Sequence, residues 1–134
     1  MARILLVDDD PDFLEITRLI LIQHGHEVFT ASNGTQALAG LQAHTPHLLI
    51  LDIMMNYTLE GLDVLSQLRM DAAFAQLPVL IVSSLTPSQA ADFYAGAMSL
   101  QAQAWLVKPI NPDVLLHAVD TSLPADREER DSTL

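Results

Sequence analysis

Four short runs in this chain are apolar at every position: Ile4-Leu5-Leu6-Val7, Leu48-Leu49-Ile50-Leu51, Val79-Leu80-Ile81-Val82 and Trp105-Leu106-Val107. Each is too short for a helix and none alternates with polar residues, the pattern of strands buried on both faces of a parallel sheet. Residues 26–31 make a weaker strand. Between these runs apolar residues recur at helical spacing. Asp10-Pro11 predicts an N-cap with proline in the first turn, Leu14, Leu21 and Ile22 on one face, and Gly25 as a left-handed close. A short helix over 32–43 opens at Ser32 or Asn33. Leu62, Leu65 and Leu68 mark a third helix, and Ala91, Ala95 and Met98 a fourth. Pro112 starts the last, with Val114, Leu115 and Val119 as its apolar face.

A strand followed by a helix, five times over, predicts an α/β fold. Its form is a doubly wound five-stranded parallel sheet, with helices on both faces and right-handed crossovers. One domain over residues 1–123 accounts for the pattern. Pro124 ends the last helix. Residues 124–134 hold four acids and two arginines and have little to bury, so they read as an acidic polar tail or a truncated linker.

Composition narrows the setting. The 134 residues carry 6 Lys+Arg against 17 Asp+Glu, a formal net charge of −11, and no cysteine. A disulfide scaffold and a thiolate metal site are excluded. No apolar run approaches the ~20 residues of a membrane span. The chain enters its first strand at once, which leaves no room for a signal peptide, so a cytoplasmic setting without a membrane partner is expected. The negative charge repels phosphate backbones, and direct nucleic-acid binding is not expected.

Charge matters more by position than by amount. Ligands of open α/β sheets bind outside the carboxyl ends of the strands. Those ends carry Asp8-Asp9, Asp52, Ser83-Ser84 and Lys108, the only lysine of the chain. Acid runs are ordinarily solvated, but Asp8-Asp9-Asp10 directly follows a buried strand. Within this group Asp10 fits a helix cap and Asp12 a partner of the helix dipole. Carboxylates at this density suit a hard divalent cation, Mg²⁺ more than Zn²⁺. A cation, an ammonium and a hydroxyl around a carboxylate also match the needs of a transferring phosphoryl group, with Asp52 as the candidate nucleophile. His24, His26, His44 and His47 flank Gly25 and Pro46 without a third ligand in reach, and surface roles are expected for them. Met54-Met55 is expected to pack its loop.

With these strand ends in order, the sequence resembles the receiver domain of bacterial response regulators over about residues 2–123. The segments that carry the likeness run 4–10, 46–55, 77–84 and 105–109. The resemblance implies a flavodoxin-like fold and a phosphoacceptor role for Asp52, supplied by a sensor histidine kinase or a histidine phosphotransfer protein. It implies Mg²⁺ held by Asp9 and Asp8 with Asp52 and the Met54 backbone carbonyl. It also implies phosphoryl contacts from Ser83 and Lys108, Pro109 following through a peptide bond that is often cis, and Trp105 as the switch aromatic. Such a protein is a signalling switch and not a turnover enzyme.

Departures from the family pattern carry expectations of their own. Asn56 stands where Asp-x-x-Met is commonly followed by proline, and Gly61 comes one residue late, so a longer loop is expected over the site. The stretch from Ser83 to Lys108 is also long, and the usual Gly-Ala falls either at Gly96-Ala97 or, without its glycine, at Gln101-Ala102. Residues 111–123 lack Lys and Arg, and 86–103 hold only Asp92 as a charge, which disfavours a dimer built on ion pairs there. The small apolar groups Ala91, Ala95, Ala97 and Met98 offer a partner surface instead. A second reading is a receiver-like docking module that works mainly without phosphorylation. A Mg²⁺ phosphatase fits less well, because Asp52 is followed by Ile53-Met54 rather than by Asp-x-Asp spacing. In a flavin protein, Asp8-Asp9-Asp10 would repel the phosphate.

Overall fold

The computed structural model describes residues 2–93 and 102–123. Strands β1 (Arg3–Val7), β2 (Glu27–Ala31), β3 (Leu48–Leu51), β4 (Val79–Ser83) and β5 (Ala104–Val107) alternate with helices. These are α1 (Pro11–Gln23), α2 (Gly34–His44), α3 (Glu60–Met70), α4 (Pro87–Phe93) and α5 (Pro112–Ser122). The sheet has the order β2-β1-β3-β4-β5 with every pair parallel. This is the flavodoxin-like arrangement. The chain leaves β1 to one side for β2 and returns on the other side at β3, so the topological switch point lies at the carboxyl ends of β1 and β3.

Alternation along the strands divides the core between the two faces. Leu5, Val7, Leu49, Leu51, Val79 and Ile81 pack with residues of α2, α3 and α4. Ile4, Leu6, Leu48, Ile50, Leu80 and Val82 pack with α5 and Leu21 of α1. Register levels the strand ends: Val7 pairs with Leu51, Leu51 with Ile81, and Ser83 with Val107. Whatever follows these residues emerges on one rim.

The caps agree with the sequence. Asp10 accepts from the amides of Asp12 and Phe13, and Asp12 lies in the first turn of α1. Gly25 has φ +94, the left-handed value that glycine adopts without cost. Asn33, not Ser32, caps α2 by accepting from Gln36 N. Asn111 caps α5 through Asp113 N.

Other expectations need correction. β5 is not buried on both faces: it lies at the sheet edge, its residues are half-buried, and Val107 is 41% exposed. Ile22 and Val114 are exposed. Ile22 stands about 80° around the helix from Leu14, and the inward positions of α1 go to Thr17 and Leu21. His26 and His47 are not surface groups. His26 is buried and its Nδ1 accepts from Ala2 N at 3.2 Å, while His47 Nδ1 accepts from Arg3 N at 2.9 Å. Two imidazoles therefore receive the amides of Ala2, just before β1, and of Arg3, its first residue. His44 stacks on Phe29 with ring centroids 3.7 Å apart. Exposed His24 lies 3.6 Å from Asp120. The expectations for Ala95, Gly96-Ala97, Met98, Gln101 and the 124–134 tail lie outside the described residues.

Candidate functional site

Asp8 and Asp52 are fixed first by their backbones. Asp8 N donates to Ala31 O at 3.1 Å and Asp52 N to Val7 O at 3.0 Å, which extends the ladder past each strand and holds both side chains at the switch point. Asp8 is fully buried and Asp52 is 5% exposed. Each carboxylate is then held at both oxygens. Asp8 Oδ1 accepts from Asp10 N at 3.0 Å and its Oδ2 lies 2.6 Å from Lys108 Nζ. Asp52 Oδ1 accepts from Met54 N at 2.9 Å and its Oδ2 lies 3.3 Å from the same Nζ.

One ammonium thus faces two buried carboxylates. Burial pushes the Asp8 carboxyl above its ordinary value, against the pull of the Lys108 and Asp10 hydrogen bonds. Burial alone would lower Lys108. The hydrogen bond to Asp8 and the charges of Asp52 and Asp8 outweigh that, and its ammonium is held above the usual lysine value. Phe13 backs the site, with Lys108 Nζ 4.1 Å from its ring centroid. Lys108 N donates to Ser83 O at 2.8 Å, which ties the ends of β4 and β5 together, and the Lys108–Pro109 peptide is cis.

Asp9 is exposed, yet it joins the group: ligand atoms of Asp8, Asp9 and Asp52 lie within 4.8 Å of one another. Three hard oxygen donors, each held by a backbone amide, fit Mg²⁺, which prefers oxygen ligands and keeps several waters. The Lys108 ammonium bridges Asp8 and Asp52 in this arrangement.

The late glycine is taken up by a two-residue turn. Met55 and Thr58 exchange hydrogen bonds of 2.9 and 3.0 Å, and between them Asn56 (φ 54) and Tyr57 (φ 62) are both left-handed. That is the primed turn of tight hairpins. Met55 is buried as expected, Tyr57 is 99% exposed, and Asn56 N donates to Asp9 Oδ2 at 2.8 Å. Gly61 closes the loop, its amide donating to Ile53 O at 3.0 Å. A Cβ there would collide with the Asp52 carbonyl and Ile53 Cα, so glycine is what lets α3 start against the end of β3. Beside it, Glu60 accepts from Gly34 N and joins this loop to the start of α2.

Ser83 is fully buried at the end of β4, where its Oγ accepts from Leu85 N at 3.2 Å. Trp105 is half-buried, packs on the α2–α4 side of the core, and donates its Nε1 proton to Leu85 O at 2.8 Å. Both residues therefore grip Leu85 in the β4–α4 loop. The structure brings Asp8, Asp9, Asp52 and Lys108 together, places Ser83 at the next strand end, and puts Met54 at the site through its amide. Sequence reasoning missed the Asn56 amide, Phe13, Glu60 and the Leu85 carbonyl. All four act through backbone atoms or a long-range contact that no spacing encodes. The steric need at Gly61 was legible only as a glycine of unusual spacing.

Residues 4–120 match the family described as the response regulator receiver domain. Protein PilH of Pseudomonas aeruginosa is 35% identical over 123 residues, which cover 92% of this chain and 98% of PilH. The transcriptional regulatory protein KdpE of Mycobacterium tuberculosis is 33% identical over 116 residues, 87% of this chain but 48% of KdpE. Among solved structures, the chemotaxis response regulator CheY4 of Vibrio cholerae superposes with a TM-score of 0.80 at 30% identity, covering 92% of this chain and 99% of CheY4. The chain therefore spans nearly all of two relatives and about half of the third. No helix among the described residues is long and apolar enough to cross a membrane.

Proposed function

This chain belongs to the response regulator receiver domain family, and on that premise we propose that it is a phosphorylation switch whose phosphoacceptor is Asp52. The observation that carries the reading is the Lys108 ammonium between two buried carboxylates, 2.6 Å from Asp8 and 3.3 Å from Asp52. Asp52 Oδ2 attacks the phosphorus of a phosphohistidine on a sensor kinase or phosphotransfer protein. The P–O bond forms as the P–N bond breaks, and the imidazole nitrogen keeps the electron pair. Met54 N, on Oδ1, holds the carboxylate while the other oxygen reacts. Asp8, Asp9, Asp52 and the Met54 carbonyl are the proposed Mg²⁺ ligands, and Mg²⁺ would supply charge to the phosphoryl oxygens.

Lys108 then has a second role. The new phosphoryl group brings about two negative charges, and the ammonium is already placed to take one of its oxygens. Ser83 offers its hydroxyl to another. Rotation of that side chain toward the phosphoryl group would take Oγ away from Leu85 N and release the β4–α4 loop from one of its two grips. Trp105, which holds the other, moves with Leu85. That change at the α4–β5 side is the signal a partner reads. The domain is proposed to span 1–123, acting as a switch rather than a turnover enzyme, in the cytoplasm.

Intact mass after incubation with acetyl phosphate and Mg²⁺, beside Asp52→Asn, tests the reading. One added phosphoryl group that needs both Mg²⁺ and Asp52 is expected. Uptake that survives in Asp52→Asn would overturn it.

A further inference from the structure

We infer that the Asn56-Tyr57 turn is a positioning element for Asp9, and that the Asn56 backbone amide aims this carboxylate at the cation site. The inference rests on the reading of Asp8, Asp9 and Asp52 as cation ligands. Asp8 and Asp52 are buried and bonded at both oxygens. Asp9 is exposed, and its contact across the sequence is with Asn56 N, 2.8 Å from Oδ2. An exposed aspartate loses rotamer freedom when a ligand orders it. A donor that orders it beforehand removes that cost from binding.

The direction of this amide comes from the turn. Asn56 and Tyr57 both have positive φ, and the two hydrogen bonds between Met55 and Thr58 hold them there. Asparagine tolerates this region and tyrosine does not. The Tyr57 side chain is 99% exposed, so packing does not offset the strain of its backbone. Met55, buried on one side, and Gly61, tight against Asp52 on the other, leave the extra residue no place except this turn. The turn is built to present a backbone N–H, which proline at this position would lack. Coupling of this kind is reciprocal: a cation that fixes Asp9 also holds the Asn56 hydrogen bond.

Amide hydrogen exchange of Asn56, followed by NMR in the cation-free protein and during a Mg²⁺ titration, tests the inference together with calorimetric Mg²⁺ affinities. In the wild-type protein the Asn56 amide is expected to be protected without Mg²⁺ and slowed further by it. In Asp9→Ala it exchanges as an unprotected peptide. Deletion of Tyr57 combined with Asn56→Pro removes the donor and is expected to weaken Mg²⁺ binding by about threefold or more. An Asn56 amide indifferent to Asp9→Ala, or undiminished affinity in the deletion variant, overturns the role of the turn while leaving the cation site intact. If the deletion variant fails to fold, the exchange comparison decides alone. Absence of any Mg²⁺ binding by the wild-type protein overturns the reading of the site, and the inference with it.

Discussion

Lys108 has the least replaceable side chain in the site, because the two carboxylates it faces have nowhere to take their charge. Removing one partner of a buried pair costs more than the pair contributed, since the other charge stays desolvated. The signs of the two titrations differ. Asp8 is raised by burial, so its contribution to stability is greatest below the ordinary carboxylate value and declines as pH rises through the raised one. Lys108 is held above the lysine value by its partners, overcoming burial, so its contribution is complete below the ordinary value and lost as pH rises through the raised one. Lys108→Met leaves Asp8 to be relieved by a proton alone. We expect the cation-free variant to lose about 3 kcal/mol at neutral pH, with the deficit shrinking as carboxylates protonate. Urea unfolding at about pH 7 and about pH 4 measures it. An equal deficit at both would mean that Asp8 does not carry the effect.

At the scale of elements, the site depends on how closely α3 and the β4–α4 loop are held to the strand ends. Gly61→Ala places a methyl group against the Asp52 carbonyl and Ile53 Cα, backbone that cannot swing aside. Overpacking of this kind costs about 2 kcal/mol or more, and here it displaces the residue that carries the proposed acceptor. Lower stability and slower acetyl phosphate uptake should appear together; a destabilised variant that takes up phosphate at the wild-type rate would show the loop to be independent of Asp52. The second element is the loop gripped at Leu85. Trp105→Phe keeps a ring in the core and removes the donor to Leu85 O, a loss of about 1 kcal/mol. Faster amide exchange confined to residues 84–86, with β4 unchanged, is the expected signature. Strand runs, caps and the placing of charged residues at strand ends were legible because each is a local property of the chain. The exposure of β5 was not, since Trp105-Leu106-Val107 is as apolar as a central strand and only the sheet order puts it at an edge.

Across the whole molecule, hydrophobic pattern and strand order bring distant residues to one rim, and there legibility ends. Asp8, Asp52 and Lys108 could be grouped because each follows a strand whose neighbours the fold class dictates. Asn56 with Asp9, and His26 and His47 with the amides of Ala2 and Arg3, could not, because side chains and amides far apart in sequence meet only once the turns have set their directions. The rim also concentrates charge in a chain of formal net charge −11. Self-repulsion on that scale destabilises the compact state, and any salt relieves it by screening. A bound cation does something salt does not: it stabilises by mass action, about 2.7 kcal/mol when present at a hundred times its dissociation constant. The two effects separate in a melting experiment at fixed ionic strength, with MgCl₂ exchanged for NaCl. Mg²⁺ should raise the melting temperature beyond the monovalent salt in the wild-type protein, and Asp9→Asn should erase the difference while keeping the general salt response. Asp9 is the proposed ligand to remove, because it is exposed and its loss does not strand a buried charge. If the Mg²⁺ increment survives in Asp9→Asn, the cation is acting on the diffuse charge of the whole surface and not at the three aspartates.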